Sequence, residues 1–201
     1  MPSKILITST GRAGTSFLVQ LFTALGLDTG YRDLDECRHK LNPTAHAGLE
    51  WHPEHGVPPR IFKSTHWASM KDTEARDAIS LEHVYLCVRD LTESANSRRR
   101  CNAASTGKAP RGVPGGLVGT SKPEEQEAVL LERQWRLMLL LAQAYCPVTV
   151  IAFPDMVRDI CYLYAKLREG LPLGDDLGAF RGAWEKTVQP QWIHQEVKQN
   201  E

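Results

Sequence analysis

The sequence predicts an α/β fold in three layers, a central parallel sheet flanked by helices. Apolar strand-like runs recur at residues 5–8, 60–63, 84–88 and 148–153, near-continuous rather than alternating, as in strands covered on both faces. Helical patterns separate some of these runs, which implies crossover connections between parallel strands. A glycine-bearing turn also joins the first strand to the first helix. At 201 residues the chain fits one domain with one core, taken as residues 1–201.

Lys4-Ile5-Leu6-Ile7-Thr8-Ser9 reads as a buried strand, and residues 16–25 read as an amphipathic helix. Phe17, Leu18, Leu21, Phe22 and Leu25 form its apolar stripe, and Gly26 can stop it. Residues 28–59 carry Asp33, Asp35, His39, His46, His52 and His55 among prolines, with little periodicity. Irregular structure with one short helix near the pocket is expected there. The histidine spacing forms no HExxH or compact cluster, so no metal site is expected. Residues 106–122 hold five glycines and two prolines and predict a loop, with about 102–122 as a candidate lid. Ser121 followed by Glu124 matches a capping box for a helix reaching about residue 145, apolar all round at 137–141. A last helix is predicted over 155–168 from Met156, Val157, Ile160, Leu163, Tyr164 and Leu167. Beyond Gly170 the pattern is weak.

The 24 basic and 24 acidic residues balance, so no global field points to nucleic acid, although Arg98-Arg99-Arg100 is a local basic cluster. Five widely spaced cysteines without a CxxC pair suggest free thiols in a reducing compartment. The first strand follows Met1-Pro2-Ser3 directly, leaving no room for a signal peptide. The longest apolar run, 137–142, is too short to span a bilayer. A cytoplasmic protein without a membrane span is therefore expected.

The first turn, Thr10-Gly11-Arg12-Ala13-Gly14-Thr15-Ser16, supplies two glycines, three hydroxyls and one cation. A helix N-terminus leaves N–H groups unpaired and carries partial positive charge, so this turn suits a phosphate. It is not a GxxxxGK[ST] box, because Thr15 stands where the lysine would be. A second constellation follows the third strand. Arg89 leaves that strand's C-terminal end, where ligands meet open α/β sheets, and Ser97 would lie about two turns along a helix starting at Leu91 or Thr92. The two can bind a second anionic group, or Arg89 can simply pair with Asp90 or a neighbouring carboxylate.

Together these motifs resemble the sulfotransferases that use 3'-phosphoadenosine-5'-phosphosulfate (PAPS). Arg12-Ala13-Gly14-Thr15-Ser16 is similar to the family's 5'-phosphosulfate loop, with Ala13 in place of the usual serine. Arg89 and Ser97 are similar to its 3'-phosphate motif, an arginine after an apolar strand with a serine eight residues later. Residues 148–167, with Phe153-Pro154-Asp155-Met156, resemble a late strand and helix start whose role is structural. The resemblance spans residues 4 to about 168. It implies a P-loop-like fold, PAPS as donor with adenosine 3',5'-bisphosphate as product, and a small-molecule acceptor on the side of residues 28–59. It assigns Gly11, Arg12, Ala13, Gly14, Thr15, Ser16, Arg89 and Ser97 to the cofactor.

Two departures stand out. The Lys-Thr-His segment of many members, whose histidine is the base, becomes Lys63-Ser64-Thr65-His66, one residue longer. The C-terminal Arg-Lys-Gly segment is not evident; Arg111, Arg181 and Lys186 are candidate substitutes. The chain is also shorter than typical members, which suggests a simplified acceptor pocket or one completed by a second subunit in a homo-oligomer.

Sulfuryl transfer needs an in-line nucleophile, a cradle for the moving oxyanion and charge on the departing phosphate. Arg12 and the turn meet the last two needs, and an inward Lys63 would add charge at the bridging oxygen. His66 is the first candidate base, with Glu50 and His52 in reserve. Trp51 and Trp67 can line an aromatic acceptor site or belong to the core. Competing readings are an ATP-dependent kinase, for which Asp90 would be the magnesium partner, and an inactive nucleotide-binding protein.

Overall fold

The computed structural model describes residues 3–104 and 115–189. Four strands, β1 (Lys4–Thr8), β2 (Ile61–Lys63), β3 (Leu81–Arg89) and β4 (Val148–Phe153), form one sheet in the order β2-β1-β3-β4, every pair parallel. Register places Ile7 beside Lys63 and Tyr85, and Arg89 beside Phe153. The C-terminal ends of all four strands therefore open on one edge, the usual place for ligands in such sheets.

Alternation along the strands builds two cores. Ile5, Ile7, Tyr85, Cys87 and Ile151 point to one face and pack under helices α1 (Thr15–Ala24), α7 (Ile160–Leu167) and α8 (Leu177–Thr187). Leu6, Phe62, Val84 and Leu86 point to the other and meet Leu137 and Leu141 of α5 (Gln126–Gln143). The expected three-layer α/β architecture is what the chain adopts. The remaining helices are α2 (Leu34–Lys40), α3 (Thr73–Asp77), α4 (Leu91–Ala104) and α6 (Asp155–Arg158).

Several expectations need correction. The Ser121 capping box does not form. A 3₁₀ turn at Pro123–Glu125 precedes α5, and the Thr120 hydroxyl accepts from the Lys122 N–H instead. The centre of α5 is not enclosed, since Met138 and Leu139 are about half exposed while Leu137 and Leu141 are buried. The helix expected over 155–168 is two helices, broken at Asp159, whose carboxylate caps α7 by accepting from the Tyr162 N–H. The weakly patterned tail contains α8, capped by Asp176 on the Gly178 and Ala179 N–H groups. Of the candidate lid, residues 105–114 lie outside the described residues. Among the described residues no helix is long and apolar enough to cross a membrane.

Tyr85 ties the sheet to its helical layer. Its ring is fully buried and its hydroxyl donates to the Leu167 carbonyl at 2.6 Å, at the end of α7. Tyr85→Phe removes this bond but leaves the Leu167 carbonyl accepting from the Gly170 and Leu171 N–H groups, so it should cost about 1 kcal/mol in urea unfolding. An unchanged midpoint would contradict this anchoring role.

Candidate functional site

β1 ends at Thr8, and the chain then turns sharply into α1. Gly11, Arg12 and Gly14 all have left-handed backbone, with φ of 91°, 63° and 82°. Any other residue at Gly14 would be strained by its φ and would force its neighbours to shift, because a Cβ there would stand 2.8 Å from Met156 Sδ and 2.9 Å from a Phe153 ring carbon. The first helical N–H groups to find acceptors are those of Phe17 and Leu18, both on the Gly14 carbonyl. The N–H groups ahead of them, from Ala13 to Ser16, meet no acceptor among the described residues, which leaves them for a ligand.

This turn forms one wall of a cleft of about 350 Å³, within the roughly 300–1,000 Å³ usual for small-molecule sites. Gly11, Arg12, Gly14, Thr15, Ser16, Lys63, Glu50, Arg89 and Ser97 all line it. Arg12 Nε donates to Ser97 Oγ at 2.9 Å, and its Nη1 donates to the Ala45 carbonyl. Arg89 Nη1 donates to the Arg12 carbonyl at 3.2 Å, and its Nη2 pairs with Glu93 at 3.0 Å. The two arginines singled out in the sequence thus share one cleft, with the serine of α4 between the strand end and the turn.

Ala13 is the exception within the motif. Its methyl is buried in the core beneath α1, so no serine hydroxyl is missing from the cleft at that position. His66 does not line the cleft either; it is exposed beside Thr65, which does. Desolvation of one flank, with Arg133, His52 and Arg98 nearby, holds its imidazole below the ordinary value against the opposite pull of Glu50. His52 stacks near it, with ring centroids 6.5 Å apart. Among the described residues, no group of histidine, cysteine and carboxylate side chains could hold a metal ion.

Lys63 and Glu50 form the floor. Lys63 Nζ donates to Ser16 Oγ at 2.8 Å and to the Gly48 carbonyl, and it pairs with Glu50 at 2.9 Å. Glu50 also accepts from the Thr65 N–H and hydroxyl. Burial alone would raise the Glu50 carboxyl, but the Lys63 charge and the Thr65 donors outweigh it and hold the group below the usual carboxylate range. Glu50 is therefore an ionised anchor for Lys63 and a weak proton acceptor.

Two residues that shape the site were not assigned to it in the sequence. Phe153 lies under Arg89, with the guanidinium 4.8 Å from the ring centroid. Arg98, 8% exposed, donates to the Thr10 and Gly116 carbonyls and clamps the turn from behind, while its Nε has no partner. Desolvation, with Arg12 and Arg133 close by, pulls its guanidinium down to about 10, still charged at neutral pH. The position of Arg98 one residue past Ser97 was the available signal. Trp51 and Trp67 are buried core residues, packed on Phe62. Asp90 caps α4 by accepting from the Glu93 N–H. Arg181 and Lys186 are exposed outside the cleft, whose far wall is Arg100, Thr187 and Gln189; Arg111 lies outside the described residues.

No family model matches this chain. No curated protein sequence matches it either.

Glu50→Gln leaves the Lys63 ammonium buried among neutral partners and should cost about 3 kcal/mol at pH 7. A carboxyl depressed by folding stabilises fully above its unfolded value near about 4.3 and loses that contribution as pH falls through its folded value. The gap in urea stability between wild type and variant should therefore be widest at neutral pH and close in acid. Equal stability at pH 7 would contradict the pairing.

Proposed function

We propose that this chain is a P-loop-like sulfotransferase that moves a sulfuryl group from PAPS to a hydroxyl or amine of a small-molecule acceptor. One observation carries the reading: Arg12, Arg89, Ser97 and residues 14–16, whose N–H groups meet no acceptor among the described residues, line a single cleft. The turn would receive the 5'-phosphosulfate, and Arg89 with Ser97 the 3'-phosphate. Binding would exchange the Arg12–Ser97 hydrogen bond for bonds from both groups to phosphate oxygens, which are stronger because they are charge-assisted.

Each remaining residue then has a task. Arg12 and the turn's N–H groups stabilise charge growing on the departing phosphate, where a fixed donor is most effective. Lys63 holds Ser16 Oγ toward the cleft and adds positive charge beneath it. Glu50 is committed to Lys63, which leaves His66, outside the cleft but next to its lining residue Thr65, as the group to take the proton of an acceptor that reaches past Thr65. A kinase reading loses its support, since Asp90 serves as a helix cap and Glu50 is the one carboxylate lining the cleft among the described residues.

Calorimetric titration with adenosine 3',5'-bisphosphate tests this directly. Wild type should bind, and Arg12→Ala and Arg89→Ala should each weaken affinity at least tenfold, about 1.4 kcal/mol. An absence of binding by folded wild type would overturn the reading.

A further inference from the structure

A second, smaller cavity of about 90 Å³ lies on the other side of the turn. On this scale a single water needs about 10–15 Å³, so the space suits several waters or one tetrahedral oxyanion. Its walls are Ser9, Thr10, Thr65, Ser69, Arg133 and Arg136, closed by Ala68 and Leu137. Two guanidinium-bearing and four hydroxyl-bearing side chains line it, and no carboxylate does.

Arg133 is the informative member. It is half-buried on the inner side of α5, and its guanidinium lies over Gly119, where a Cβ would stand 3.4 Å from Nη2. Among the described residues it has no hydrogen-bond or ion-pair partner, whereas its neighbour Arg136 is exposed and paired with Glu132. The Thr10 hydroxyl is likewise without a protein partner among the described residues. The Thr65 and Ser69 hydroxyls donate to Glu50 and to the His66 carbonyl, and Ser9 Oγ accepts from the Gly11 N–H, so the donors left for a ligand are Arg133, Thr10 and Ser9. Arginine carries five donors and stays charged, so a partly desolvated guanidinium with no carboxylate in the cavity wall suits an anion. Desolvation, with Arg136 close by, lowers the Arg133 guanidinium from its ordinary value against the opposite pull of Glu132. Donors on several sides fit a tetrahedral oxyanion better than a planar carboxylate.

The position relates this cavity to the cleft. Thr65 lines both spaces, and His66 follows it in the chain. Ser9 and Thr10 are the first residues of the phosphate-facing turn, so an oxyanion here would sit behind the turn from the nucleotide.

We infer that this cavity is an acceptor subsite, in which Arg133 with the Thr10 and Ser9 hydroxyls holds a phosphate or sulfate ester already carried by the acceptor. The acceptor role rests on the sulfotransferase reading, while the oxyanion site itself does not. It narrows the substrate class to small molecules that bear an anionic ester group before transfer.

The test titrates inorganic sulfate and methyl phosphate into protein saturated with adenosine 3',5'-bisphosphate, using wild type, Arg133→Gln and Arg12→Gln. Both probes should bind wild type, and Arg133→Gln should weaken them at least tenfold while leaving bisphosphate affinity within twofold, which also reports that the variant is folded. If wild type does not bind bisphosphate, the sulfotransferase reading fails alone. The same titration without nucleotide then decides the site, which stands if sulfate binding survives in Arg12→Gln and is lost in Arg133→Gln. Sulfate affinity unchanged in Arg133→Gln overturns the site. Binding of sulfate but not methyl phosphate overturns its role in holding an ester.

Discussion

The candidate site depends on positive charge gathered around one left-handed turn. Arg12 belongs to that turn and Arg98 clamps it from α4, and among the described residues both donate only to neutral oxygens. Desolvation lowers both guanidinium groups, and Arg12 lies among the charges acting on Arg98. In a chain with equal numbers of acidic and basic residues, this concentration is a local arrangement that net charge conceals. On the proposed function, an anion in the cleft would supply the missing counter-charge. The same constraint explains why the turn is glycine-rich: Gly11 leaves room for the Arg98 guanidinium, since a Cβ there would stand 2.2 Å from Nη2.

The arrangement divides the work between rigid and exchangeable contacts. Arg98 holds the Thr10 carbonyl, and Lys63 is fixed by Glu50 and the Gly48 carbonyl, so the floor and back of the turn are set without a ligand. Arg12 and Ser97 hold each other across the cleft. That bond is the one a bisphosphate would replace, which makes the site preorganised in its frame and adaptable at its centre. Phe153 under Arg89 limits how far the second arginine can turn away.

Much of this was legible from local pattern. The first strand, the turn and α1 were readable because apolar continuity, positive-φ glycines and a helical stripe agree over a short span. Arg89 and Ser97 could be linked because strand-end and helix spacing bring them to the same edge of the sheet. The break at Asp159 was hidden because the apolar period of 155–168 continues across it, and only the capping carboxylate marks the new start. Helix α8 was missed because its anchors, Phe180, Ala183 and Thr187, gain meaning only when packed on α1 and α7. Arg98 stands next to Ser97 in the sequence, but the Thr10 and Gly116 carbonyls it holds lie in distant segments, and the cavity that Arg133 lines is assembled only by the fold. The roles of Ala13, Trp51 and Trp67 were decided by their burial in the two cores, which the fold assembles from distant segments.

The central claim is that one doubly phosphorylated nucleotide completes the charge of this cleft. A crystal structure with adenosine 3',5'-bisphosphate tests it most directly. The account predicts the 5'-phosphate on the N–H groups of residues 13–16 with Arg12, the 3'-phosphate on Arg89 and Ser97, and the Arg12–Ser97 bond opened. A nucleotide bound elsewhere, or in the cleft with that bond intact and its phosphates turned to solvent, would contradict it.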